Sequence, residues 1–164
     1  DMPWLSSADI TDGDIHTINP SRFITQAAID NSTTQICPQG SILIVTRVGV
    51  GKLVIAPFRV CTSQDFTNII SVEGDNEFIA AIIQKELRKV KSKVQGTSIK
   101  GITVKELKKI RIKIPETEEQ RSISKTLNVQ YHLIKKLETE LTFWEKKKKA
   151  LMQLLLTGIV RVSI

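Results

Sequence analysis

Between about Glu118 and Thr157 the sequence runs for roughly 40 residues without a proline or a glycine. That is far beyond the three turns of an average helix. As one helix it would form a rod of about 60 Å at about 1.5 Å per residue. Pro115 stops what precedes it, and Glu116, Glu118 and Glu119 suit the positive end of the helix dipole. Thr117 can cap the first turn, and Gln120, three residues on, can reach back to complete a capping box. Gly158 marks the end.

The apolar positions of this stretch keep heptad spacing. Leu127, Ile134, Leu141 and Leu155 share one register; Ile123, Leu137, Trp144 and Leu151 fill the other. Gln130 and Lys148 interrupt the seam, as register-fixing polar residues do. Such a seam wants a second long helix beside it, and the chain offers no other of that length. The expected partner is a second copy of the chain or a missing repeat. The plainer alternative is one long helix lying along its own domain, which would cover only part of such a rod.

About 115 residues precede the rod, enough for one core. Pro38, Gln39 and Gly40 form a turn, and Ser41–Thr46 is a β-branched, continuously apolar run, suited to a strand covered on both faces. Leu53–Ala56, Phe58–Thr62 and Asn68–Val72 read as further strands, and Pro3–Leu5 and Arg22–Thr25 as short ones. Trp4 reads as a core anchor. From Phe78 to Val94 apolar residues recur at three and four, a helix with a cationic outer face. Gly96 would end it, a polar loop 95–101 follows, and Thr103–Leu107 suits a short turn or helix. Ile110–Ile114 alternates strictly and reads as a half-buried strand. Strands, then helix, strand and long helix make an α+β protein: a mixed-sheet domain over 1–115, a long coiled-coil helix over 116–158 and a tail over 159–164.

Charge separates along the chain. Residues 1–84 carry four Lys or Arg against nine carboxylates, whereas residues 85–113 carry eleven against two. The net charge of +7 therefore originates in the middle segment. Such a block is the footprint of phosphate contact, although many lysine runs are only a solvated face. Cys37 and Cys61 have no metal spacing, so two reduced, buried thiols of a cytoplasmic protein are expected. His16 and His132 are isolated, so neither a metal nor a cofactor is expected. No apolar run is long enough for a membrane span, and nothing reads as a signal peptide.

Val48 to Leu53 is like a phosphate loop in its Gly51–Lys52 pair only. Thr46 stands where the first glycine is needed and Leu53 where a magnesium-holding hydroxyl is needed. The acid–lysine pairs at Glu106–Lys108 and Glu145–Lys147 lie in charge-rich surface segments, where a nuclease centre has no support. No methyltransferase motif or Ser-His-Asp set appears. The chain reads as non-catalytic.

Particular motifs carry a family likeness. They are Gln95, Gly96 and Thr97 with Ile102; Leu107–Ile110; Ile112–Pro115; Glu118, Glu119 and Gln120; Ala150–Gln153; and Leu155–Gly158. Pro3–Leu5 with Asp9 and Ile10, Gly40–Ile44 with Gly51 and Lys52, and Ser63–Phe66 add to them. In these the chain resembles the specificity subunit of type I restriction–modification systems. Two features depart from that pattern. Residues that ordinarily precede the Pro-Trp motif are absent, so the sheet is expected to lack its first strand, and Glu116 replaces a second proline.

The resemblance implies a target-recognition domain that reads one half of a split site in double-stranded DNA. It implies a long helix that pairs antiparallel with its counterpart, acts as a spacer, and offers docking to methyltransferase and restriction subunits. The methyltransferase would use S-adenosylmethionine; this chain would bind and measure. Thr46, Arg47, Gln64, Gln95, Thr97 and Ser98 are the expected base contacts, since Arg reads guanine and Gln reads adenine in the major groove. Lys52, Lys89, Lys91, Lys93 and Lys100 are the expected phosphate contacts. Leu127, Ile134, Leu137, Leu141, Trp144, Leu151 and Leu155 are the pairing seam. A coiled-coil scaffold whose basic surface meets an acidic protein is the competing reading.

Overall fold

The computed structural model describes residues 1–94 and 101–162, with the backbone alone for 91–94. The chain divides into two compact units, Asp1–Arg121 and Ser122–Ile164.

The first unit is built around β4 (Ile42–Val45), in which all four side chains are buried. It pairs antiparallel with β5 (Leu53–Ile55) on one side and β7 (Phe66–Ile69) on the other, which gives a sheet of order β5-β4-β7. A second sheet has the order β2-β1-β6-β3. It joins β1 (Met2–Leu5), β2 (Arg22–Ile24), β3 (Ile36–Cys37) and β6 (Val60–Thr62). Here β1 and β6 run parallel while the outer pairs are antiparallel, so the sheet is mixed.

Alternation along β4 places Leu43 and Val45 on one face and Ile42 and Ile44 on the other. Leu43 and Val45 join Val54 and Ala56 in one buried cluster with Leu5, Cys37 and Val60 of the other sheet. The two sheets thus share a core, and each fully buried Leu or Val there contributes roughly 1.5–3 kcal/mol. Helix α2 (Asn76–Val94) packs against β5 and buries Phe78, Ile79, Ile83 and Leu87. A continuous apolar strand therefore did signal two covered faces.

Buried polar residues hold the irregular first third. Asp9 accepts from the Ser6 N–H and hydroxyl, both at 2.7 Å, and from the Ser21 N–H at 3.1 Å and hydroxyl at 2.7 Å. Burial alone would push the Asp9 carboxyl up, but these hydrogen bonds outweigh it and hold the group below its ordinary range. Trp4 is half-buried, with the Arg22 guanidinium 4.6 Å from its ring centre, across the β1–β2 pair. A short helix α1 (Gln26–Asp30), absent from the sequence reading, starts where the Thr25 hydroxyl accepts from the Ala28 N–H. Cys37 and Cys61 are free and buried, and burial pushes both thiols up.

Three expectations are corrected. Ile110–Ile114 pairs with no strand among the described residues. The Ile110 N–H turns back to the Leu107 carbonyl, so alternation there reports faces without a ladder. The strand expected at Asn68–Val72 lies earlier, at Phe66–Ile69, because its register is set by pairing Phe66 with Val45. Gln120 does not complete a capping box. Its side chain accepts from the Asp75 N–H at 3.0 Å and donates to the Pro115 carbonyl at 2.8 Å. It is only 3% exposed, and a buried backbone N–H without that partner would be costly. The helix ending expected at Gly96 falls outside the described residues.

Helix α3 (Val104–Leu107) is short and closes a capping box between Thr103 and Glu106. The bond from the Thr103 backbone holds the Glu106 carboxyl below its usual range. Helix α4 (Thr117–Leu156) has the length the sequence signalled, and Gly158 follows it in the left-handed region at φ 74°. Among the described residues no helix is long and apolar enough to cross a membrane.

Candidate nucleic-acid interface

One end of the three-stranded sheet gathers several of the polar residues singled out in the sequence. The β4–β7 register pairs Val45 with Phe66. Continued outward, its first step sets Thr46 opposite Asp65, and Arg47 and Gln64 follow in the loops, where the Phe66 N–H turns back to the Ser63 carbonyl at 3.2 Å. The first step is visible as a bond from the Thr46 N–H to the Asp65 carbonyl at 2.7 Å. Arg47 and Gln64 are both exposed. A guanidinium fork and a carboxamide are groups able to read base edges.

A third segment meets them there. The Ile102 N–H donates to the Thr46 carbonyl at 2.8 Å. Gly101 approaches so closely that a Cβ would lie 2.5 Å from that same oxygen, so only glycine fits. The chain therefore returns to this end of the sheet directly after the 95–100 stretch, and α3 follows. Gln95, Thr97, Ser98 and Lys100 lie outside the described residues, as do the side chains of Lys91 and Lys93 on the last turns of α2.

Two residues of the expected contact set have partners within the fold. Thr46 is 6% exposed, and its hydroxyl donates to the Asp65 carbonyl at 3.1 Å. It joins strands and has no edge to offer a base. Lys52 donates its Nζ to the Ser7 carbonyl at 2.9 Å and the Ile10 carbonyl at 3.0 Å. The ammonium is engaged within the fold and pins the β4–β5 loop to the segment after β1. Lys89 is exposed but paired with Glu86 at 2.6 Å, so its charge is partly offset locally.

Cationic residues that drew no individual assignment in the sequence follow Ile102 in the chain. Lys105, Lys108 and Lys109 are exposed on and just after α3, and Arg111 and Lys113 are exposed beyond it. The Glu106 carboxylate among them is turned to its own helix cap. The signal was present as the concentrated charge of 85–113; what the sequence lacked was which bases the fold occupies internally. Among the described residues no cluster of His, Cys, Asp or Glu could hold a metal ion.

On α4 all seven expected seam residues are exposed, from 37% at Leu155 to 60% at Leu141. Leu133, Phe143, Met152 and Leu154 add further uncovered apolar surface. Contiguous exposure on this scale marks a surface made to be covered.

A mixed two-sheet domain followed by a long helix with an exposed apolar stripe is the build that the sequence resemblance implied. Comparison with known proteins agrees. Residues 1–142 match the type I restriction modification DNA specificity domain, and the chain belongs to that family. It is 36% identical over 135 residues to a Methanocaldococcus jannaschii protein provisionally named the type I restriction enzyme MjaX specificity subunit. That match covers 81% of this chain and 32% of the relative. It is 29% identical over 153 residues to the MjaIX specificity subunit of the same organism, covering 89% of this chain and 35% of the relative.

Among solved structures, it resembles a chain from work on complex assembly and conformational transition of the type I R-M system. The TM-score is 0.69 at 21% identity, over 93% of this chain and 36% of that one. It also resembles the HsdS subunit from Thermoanaerobacter tengcongensis, with TM-score 0.58 and 22% identity over 84% and 31%. These two likenesses concern the fold. The chain spans about a third of the length of the curated relatives it matches.

Proposed function

We propose that this chain is the DNA-recognition part of a type I restriction–modification enzyme, without catalytic groups of its own. It reads one half of a bipartite site with the loop end of its three-stranded sheet. Its long helix pairs with a second such helix, sets the distance between half-sites, and gives the methyltransferase and restriction subunits a surface to dock on. The observation that carries this reading is the family match, which runs from β1 through most of α4.

The geometry supports it. Arg47 and Gln64 are exposed in the loops that follow β4 and precede β7, and the exposed lysines on and after α3 suit sequence-independent phosphate contact. A rod of about 60 Å exceeds one DNA turn of about 34 Å, so two such domains could engage separated half-sites.

The test is the site methylated by the assembled enzyme. Arg47→Gln should change the preferred base at one position of one half-site and leave the other half-site and the spacer length unaltered. Binding to the original site should weaken about 10- to 100-fold, the size of one bidentate base contact. An Arg47→Gln enzyme that still methylates the original site with unchanged preference would remove this end of the sheet from base reading.

A further inference from the structure

We propose that Val48 is a specificity-determining residue. Its isopropyl group would meet the 5-methyl of a thymine in the half-site. The inference rests on the DNA-recognition reading above and adds a base identity to it.

Val48 is 67% exposed, the highest value among the large exposed hydrophobic residues described in the Asp1–Arg121 unit. The loop that carries it is firmly held. The Val45 N–H donates to the Lys52 carbonyl at 2.9 Å, the Gly51 N–H to the Val45 carbonyl at 3.2 Å, and the Lys52 N–H to the Gly49 carbonyl at 3.4 Å. The Lys52 ammonium fixes the base of the loop to Ser7 and Ile10. Gly49 and Gly51 take φ of 84° and 92°, turning the chain sharply just past Val48. A pinned turn thus holds a β-branched side chain outward, and its stiff χ1 leaves little rotamer freedom to lose on contact.

The chemistry narrows the ligand. Valine has neither donor nor acceptor, so it cannot read the hydrogen-bonding pattern of a base edge. The thymine methyl is the apolar feature that a DNA major groove displays. Val48 directly follows Arg47 in the same loop, so both residues belong to one end of the sheet.

The test uses the full specificity subunit assembled with its methyltransferase, on duplexes of the half-site found by mapping methylated adenines. Each thymine is replaced in turn by deoxyuridine, which removes the 5-methyl alone. One replacement should weaken wild-type binding about fourfold, the value of one buried methyl-sized group. The same replacement should leave Val48→Ala unaffected, and that variant should bind the thymine duplex as wild type binds the uridine one. Equal loss in wild type and Val48→Ala would overturn the proposal, as would insensitivity at every thymine or a half-site lacking thymine. An assembled enzyme that binds no duplex would instead overturn the DNA-recognition reading and this inference with it.

Discussion

Lys52 shows how residue type and residue use separate. In the sequence it follows two glycines in a short loop, the setting of a phosphate-binding lysine, but its ammonium caps the Ser7 and Ile10 carbonyls. Lys52→Met should therefore loosen the β4–β5 loop. It should lower the stability of the full chain in urea by about 1.5–3 kcal/mol, the range for a hydrogen bond to a charged group. The salt slope of DNA binding should stay that of the wild type. A fall of about one unit in that slope, with stability unchanged, would return Lys52 to the phosphate surface. Thr46 is the same case in neutral form, since its hydroxyl closes a bond to the Asp65 carbonyl. The sequence marked this loop as special but carried no signal of partners 42 or 45 residues distant. The exposure of Arg47 and Gln64 was legible, because long polar side chains beside apolar strands have few places to go but outward.

Elements were legible where one physical cause dominated. Four successive buried positions made β4 plain, and the absence of helix breakers made α4 plain. Ile110–Ile114 failed because alternation describes faces, whereas a strand also needs a neighbouring edge. The start of α4 shows what else local rules omit. The Glu118, Glu119, Gln120 triplet looks like dipole and cap chemistry, yet Gln120 is drawn away to the backbone of Asp75, 45 positions earlier. Gly74, beside it, has φ 109°, and a Cβ there would meet the Gln120 Oε1 at 2.5 Å. Gly74→Ala should therefore cost about 2 kcal/mol of unfolding free energy from backbone strain alone, with the clash in addition. Combining it with Gln120→Ala should recover the clash and retain the strain, so the double variant should lose less than the sum of the singles. Strict additivity in urea unfolding would show that the two residues do not bear on each other.

For the whole molecule the decisive feature is the uncovered stripe on α4. Leu127, Ile134, Leu137, Leu141, Trp144, Leu151 and Leu155 are exposed in the single chain, although full burial would yield roughly 1.5–3 kcal/mol for each large apolar residue. Even after the cost of association, a seam of this length favours pairing with a like helix. The chain supplies one such helix, so at micromolar concentration it should pair with a second copy, giving a mass near twice 18.4 kDa by light scattering. Leu137→Asp with Leu141→Asp places carboxylates in the middle of the seam and should return the mass to that of one chain. Both changes lie within the Ser122–Ile164 unit. Leu133→Asp, off the seven-residue seam, should disturb pairing far less, and equal disruption by both would mean that apolar character alone, without heptad register, drives association. A wild-type chain that stays monomeric at every concentration would rule out self-pairing. The second helix would then have to come from another polypeptide or from a repeat elsewhere in the subunit. This measurement comes before any DNA-binding experiment, because the spacing of two half-sites has meaning only once the identity of the second helix is known.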